Sequence, residues 1–228
     1  MAVKDWSTSP ASNTSIDGLD IGEGCPAANM NNAVRSVMAG VKKTLAGIYN
    51  VMDYGAAGDG TTNDTTAFQA AAAALEAAGG GTIVIPPGTY IVGTQTLAGA
   101  TGLDYAYQIS DVIDIRNCTK PIRIVGHGAI LKAASGLKYG SFNPVTGAAA
   151  GTSTDEDFRA YGVNFISVVG NSSVSIEGLE IDGNVDGYTL GGAWGDSGRQ
   201  IGASGISSEQ NDQLSVTDCY IHHCPLDG

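Results

Sequence analysis

The sequence predicts a mainly β protein built as a solenoid of short stacked strands, and three observations carry that expectation. Strand-like apolar runs recur at a constant offset of 40: Val174, Ile176, Leu179 and Ile181 are matched by Leu214, Val216, Cys219 and Ile221, with Ser175 against Ser215 and Ile166 against Ile206. Glycine is abundant, at 33 of 228 residues, while charged residues make up only 15%; many turns need positive φ, so this balance suits a turn-rich β protein. No helical pattern separates the repeated strands, which is how stacked rungs read.

The elements follow in order. Residues 1 to about 28 are polar and turn-rich, with no sustained period. From Asn29 the pattern turns helical: Val34, Val37, Met38, Val41, Leu45 and Ile48 form one apolar stripe. Asn29, Asn31 or Asn32 offers an N-cap, and Lys42 and Lys43 suit the C-terminal end of the dipole. So short a helix cannot stand alone in water. It needs either the following domain or symmetry copies of itself, and a trimeric neck over residues 29–49 is the preferred reading.

Residues 51–92 read as a short strand, a glycine turn and an alanine-built helix. Asp64 is its expected N-cap, Phe68 and Leu75 mark its buried face, and Gly79, Gly80 and Gly81 stop it. Strands are expected at 82–85 and 89–92, on either side of the Pro86-Pro87-Gly88 turn. The zone from about 110 onward holds the repeat, with a looser rung earlier where Ile113 and Ile115 are followed by Ile122 and Ile124. One rung spans about 165–186. Two insertions, about 133–162 and 185–204, fall at equivalent places and are expected to emerge on one face, often the binding face of a repeat protein.

The apolar fraction of 43%, in patterned runs, argues against disorder. A net charge of −12 disfavours non-specific nucleic-acid binding, which depends on phosphate neutralisation. Neutral or mixed glycans are compatible with it; a polyanion would need a local patch drawn from the 11 Lys and Arg. The first 13 residues hold no apolar signal core, and no run is long enough to span a membrane. The chain is therefore expected to stay soluble in a cytoplasm until release, with no membrane insertion. Cys25, Cys118, Cys219 and Cys224 are expected to be reduced, buried thiols.

Asp53-Tyr54-Gly55-Ala56, Gly58-Asp59-Gly60, Asn63-Asp64-Thr65, Phe68, Gly79 to Thr82 and Ile85-Pro86-Pro87-Gly88-Thr89-Tyr90 form a dense signature over some forty residues. It resembles the opening of the pectate-lyase-like superfamily, whose members include pectate lyases, polygalacturonases, alginate epimerases and many phage tail spikes. That resemblance implies a right-handed parallel β-helix over residues 50–228, with these glycines and this aspartate serving the fold rather than chemistry. Trp6-Ser7, Asn13, Ile16-Asp17-Gly18, Glu23-Gly24, Pro26, Asn29 to Ala33, Arg35 and Met38-Ala39 resemble the N-terminal segment of phage and prophage tail fibres. This second resemblance implies a virion anchor over 1–28, other tail proteins as its partners, a homotrimer, host surface polysaccharide as the target, and a place in the virion tail after assembly in the host cytoplasm.

Polysaccharide chemistry on such a fold needs two carboxylates for hydrolysis, or a base with a charge-neutralising group for lyase or epimerase chemistry. Asp182, in Ile181-Asp182-Gly183-Asn184, is a candidate, or else a turn residue. Asp186, Tyr188, Trp194, Asp196 and Arg199 share the second insertion; aromatics beside carboxylates and an Arg are what a sugar subsite uses, and a loop packing on a neighbouring subunit would look similar. Tyr188, Trp194 and Arg199 are expected to bind substrate, and Asp182, Asp186, Asp196, His222 and Asp227 to hold the catalytic candidates. Related epimerases carry a Tyr, Asp and His constellation; Tyr220, His222 and Asp227 are the right types, without a residue-by-residue match. Cys219-x-x-His222-x-Cys224 is not a zinc spacing, and strand alternation should send His222 and His223 in different directions. No metal ligand and no cofactor is assigned. The last residues follow a repeat strand with no cap, so the β-helix is expected to be incomplete at its C-terminus. A stand-alone lyase or uronate epimerase and a non-catalytic tail adaptor are the competing readings.

Overall fold

The computed structural model describes residues 14–16, 19–22, 25–109, 111–149, 159–160, 162–192 and 204–225. The chain separates into two compact units, Met1–Ile48 and Tyr49–Gly228.

In the first unit, β1 (Ser15–Ile16) and β2 (Leu19–Asp20) pair antiparallel, and α1 covers Ala27–Thr44. The helix starts at Ala27, ahead of all three asparagines expected to cap it. Asn29 Nδ2 instead donates to the Asp20 carbonyl at 3.2 Å and ties the helix to the hairpin. Ala33 is buried, whereas Val34 and Met38 of the apolar stripe are 50% and 65% exposed.

The second unit opens with β3 (Ile48–Asn50), a 3₁₀ turn at Val51–Tyr54, β4 (Asp59–Asn63) and α2 (Thr65–Ala77). Phe68 and Leu75 of α2 are fully buried, as their spacing predicts. Asp64 departs from expectation. Its buried carboxylate makes no helix cap; it accepts the Ala57 N–H at 2.7 Å and the Gly58 N–H at 3.2 Å, closing the glycine turn. Asn63 Oδ1 takes the Thr65 N–H in its place, at 3.1 Å.

Next come β5 (Gly81–Val84), β6 (Gly88–Val92), β7 (Gln95–Leu97), β8 (Tyr107–Ile109), β9 (Ile113–Arg116), β10 (Ile122–Ala133), β11 (Lys138–Ser141) and β12 (Arg159–Ala160). They are followed by β13 (Ile166–Val169), β14 (Val174–Asp182), β15 (Thr189–Gly191), β16 (Ile206–Glu209), β17 (Leu214–Thr217) and β18 (Tyr220–His222). Two parallel stacks dominate. In one, the first half of β10 pairs with β5 and β14, and β14 with β17; the second half of β10 pairs with β6 and β14, and β14 with β18. In the other, β13 lies between β9 and β16. The offset of 40 is the register itself: Val174 faces Leu214, Ile181 faces Ile221 and Ile166 faces Ile206.

Alternation sends every second residue inward, so like residues pile into columns: Ile83, Ile124 and Ile176 in one, Tyr90, Leu131 and Ile181 in another. All six are fully buried, and each such side chain contributes about 1.5–3 kcal/mol relative to exposure. Both insertions begin at one level of the stack, because β11 and β15 pair in parallel from Lys138↔Thr189 to Gly140↔Gly191. The backbones touch there; a Cβ on Gly140 would run into the Gly191 carbonyl.

The chain turns between the two stacks at one repeated corner. Asn117, Gly170 and Gln210 take φ of 53°, 67° and 54°, and the next residues, Cys118, Asn171 and Asn211, form a polar ladder. Asn171 Oδ1 accepts the Cys118 N–H at 2.9 Å and its Nδ2 donates to the Ile115 carbonyl at 3.0 Å. Asn211 Oδ1 accepts the Asn171 N–H at 2.8 Å, and its Nδ2 donates to the Val168 carbonyl at 2.7 Å. An amide offers donors and an acceptor at once, so one side chain satisfies backbone groups that a turn leaves unpaired.

Candidate functional site

The outward residues of the β10–β14–β18 stack form two adjacent rows. Ile130, Glu180 and Tyr220 share one, and Lys132, Asp182 and His222 the next. Lys132 Nζ and Asp182 Oδ2 form an ion pair at 2.8 Å, and the Asn184 N–H donates to Asp182 Oδ1 at 2.9 Å. Burial pushes the Asp182 carboxyl up, but the ammonium and this N–H outweigh it and hold it below the ordinary value. It stays ionised at neutral pH.

His222 Nε2 lies 3.2 Å from Glu180 Oε1, and the Tyr220 ring stacks on the imidazole with centroids 4.4 Å apart at 25°. His222 Nδ1 approaches His223 Nδ1 to 2.6 Å. Alternation predicted opposite directions for these rings. They meet because His223 adopts φ 52°, a left-handed conformation that ends the pleat and swings its side chain back toward Asp182. Beside the rows lies a groove of about 280 Å³, floored by Gly128 and Gly178 and walled by Ile130, Glu180, Asp218 and Tyr220. Tyr220 is 63% exposed and presents a ring face along it.

Asp182 and His222 thus sit together as functional candidates. Asp186 does not join them; it lies exposed on the Val185–Gly187 turn. Tyr188, expected to stack on sugar, is 9% exposed and edge-on to Tyr139, and its hydroxyl accepts the Val163 N–H. The start of the second insertion folds back over the core and carries this ring inside, beyond reach of a polymer. Burial pushes its pKa up to about 12. An unfolded chain releases that proton near the ordinary value of 10, so stability is expected to fall as pH rises between the two. Alkaline titration followed at the tyrosinate absorbance should show the buried tyrosines, Tyr188 and Tyr90 among them, ionising with unfolding rather than with the exposed ones. Trp194, Asp196, Arg199 and Asp227 lie outside the described residues.

Lys132 and Glu180 are not marked by the sequence as site residues, and His223 enters there only as the neighbour of His222. A signal existed: aligning Ile130-Leu131-Lys132 with Glu180-Ile181-Asp182 as successive rungs puts Lys132 beside Asp182. The four cysteines are free; Cys118 is buried, while Cys25, Cys219 and Cys224 are half-buried rather than fully enclosed as expected. Cys219 and Cys224 turn their thiols to backbone carbonyls, Cys224 to that of His222.

Parallel strands stacked rung on rung are the architecture of a β-solenoid. The chain belongs to the pectate lyase-like family of rhamnogalacturonase A/epimerase, whose model matches residues 48–193. It is 30% identical over 190 residues to mannuronan C5-epimerase AlgE6 of Azotobacter vinelandii, covering 79% of this chain and 20% of that protein. The chain therefore spans about one fifth of that relative. Among solved structures, the A-module of the same epimerase overlaps 76% of this chain and 40% of its own, at 23% identity and a TM-score of 0.41. The ORF18 protein of Geobacillus virus E2 overlaps 67% of this chain and 27% of its own, at 23% identity and a TM-score of 0.31.

Proposed function

We propose that the chain belongs to a phage tail spike or tail fibre. Its stacks form a right-handed parallel β-helix that recognises host surface polysaccharide and is a candidate to depolymerise it. Residues 1–28 attach to other tail proteins, the α1 stripe trimerises, and the protein resides in the virion tail after assembly in the host cytoplasm.

The observation that carries the glycan reading is the pair of outward rows. Tyr220 offers a ring face, Glu180, Asp182 and Lys132 offer hydrogen bonds and charge, and the groove beside them is near the lower end of ligand-site volumes, about 300 Å³. The exposed Val34 and Met38 favour a homo-oligomeric neck, since an apolar stripe in water gains by self-association. A stand-alone uronate epimerase is the second reading, favoured by the identity to the mannuronan epimerase.

Two measurements separate these. Light scattering on the whole chain is expected to give three times the monomer mass, and Val34→Glu with Met38→Glu should return the monomer; a wild-type monomer would sink the spike reading. Incubation with host capsule or lipopolysaccharide, followed by sizing of the glycan, is expected to show binding lost in Tyr220→Ala. Proton exchange at C5 of polymannuronate, without chain shortening, would favour the epimerase instead.

A further inference from the structure

We infer that Asp182, His222 and His223 form a binding site for one divalent transition-metal ion of the zinc type. Three donor atoms converge from two neighbouring rungs. His222 Nδ1 and His223 Nδ1 are 2.6 Å apart, and Asp182 Oδ1 lies 3.8 Å from the first and 3.6 Å from the second. This donor set differs from the Cys-x-x-His-x-Cys spacing dismissed above, since both thiols face backbone carbonyls.

The surroundings let these three atoms act together, although Asp182 Oδ1 also accepts the Asn184 N–H at 2.9 Å. Glu180 Oε1, at 3.2 Å from His222 Nε2, fixes the ring proton there and leaves the Nδ1 lone pair directed at the cluster. A carboxylate behind a ligating imidazole is a common outer partner of metal sites. Lys132 occupies the other oxygen of Asp182, so Oδ1 is the one turned to the histidines. The left-handed His223, a conformation costing on the order of 1 kcal/mol or more for a non-glycine residue, is what brings the second imidazole round.

Two ring nitrogens at 2.6 Å need something positive between them, a proton or a metal ion. A proton bridges the two imidazoles alone, whereas a metal ion would draw in all three donors, with Asp182 Oδ1 keeping the Asn184 N–H on its other lone pair. With ligand bonds of about 2.0–2.2 Å, donors around a tetrahedral ion stand about 3.3–3.5 Å apart. The carboxylate separations are already close to that. The two nitrogens must part by several tenths of an ångström, a movement open to His223, whose side chain is 63% exposed. Two imidazoles and one carboxylate select zinc, cobalt, nickel or copper over calcium and magnesium, which prefer all-oxygen shells. Three protein ligands leave a coordination position for water or a sugar oxygen on the side of the polar rows.

The site needs no glycan, so it and the function proposed above fail independently. The chelator-treated whole chain is titrated with Zn²⁺ by calorimetry and with Co²⁺ by visible absorption. One equivalent is expected. His223→Asn, which retains a left-handed-tolerant residue, should lose the site, and Glu180→Gln should weaken it about 10–100-fold. Circular dichroism of each variant checks that the stack is intact. Absence of stoichiometric Zn²⁺ binding, unchanged affinity in a folded His223→Asn, or Ca²⁺ competing at equal concentration would each overturn the assignment.

Discussion

Asn171→Ala is expected to lower the stability of the β unit by about 2–4 kcal/mol, read as a fall in the denaturant midpoint with an unchanged slope. The side chain is 1% exposed and serves three groups: the Cys118 N–H, the Ile115 carbonyl and Asn211 Oδ1. Alanine removes the amide and leaves the first two buried without their partner. An unsatisfied buried backbone group costs about 1–3 kcal/mol, far more than the net gain from one hydrogen bond. Asn211→Ala should cost less, because solvent reaches that rung more readily. A loss below about 0.5 kcal/mol for Asn171→Ala would show that the corner is held by its left-handed residues alone.

If the outward rows process polysaccharide, Asp182→Asn should reduce turnover by about a hundredfold or more, the scale of a general acid–base contribution. Glu177→Gln, in the same stack but paired with Arg123 at 2.5 Å, is the control and should leave turnover within a few-fold of wild type. The sign of the pH dependence follows from the ion pair. Lys132 helps hold the Asp182 carboxyl below its ordinary value, so activity should persist to lower pH than an unpaired aspartate allows. Lys132→Met should shift the acid limb upward. Release of shortened glycan, followed between pH 3 and about pH 7, checks both expectations.

The rungs were legible because their period is written in side chains that point inward. Ile166, Val174, Ile176 and Ile181 meet their partners at the offset the sequence shows. The α2 helix was legible for the same reason, through Phe68 and Leu75. Much of the candidate site was not. Lys132 and Asp182 are 50 positions apart, across a rung lengthened by an insertion, so the later offset of 40 does not find them. The histidine pair depends on a single left-handed residue, and alternation arguments assume that no such residue intervenes. Asp64 stands where a helix start usually recruits its own cap; here two N–H groups of a preceding turn compete successfully for it. Tyr188 shows the opposite failure, since a polar, glycine-rich neighbourhood hid a core residue.

The stack tolerates very different lengths of chain between its rungs. Ile113 reaches Ile166 after 53 positions, whereas Ile166 reaches Ile206 after 40, yet both pairs belong to one uninterrupted parallel ladder. Closing the longer excursion costs only a few tenths of a kcal/mol more, because loop entropy grows with the logarithm of length. The excursions therefore behave as exchangeable cassettes on a fixed spine. An excursion can be lengthened or shortened while every buried column stays where it is.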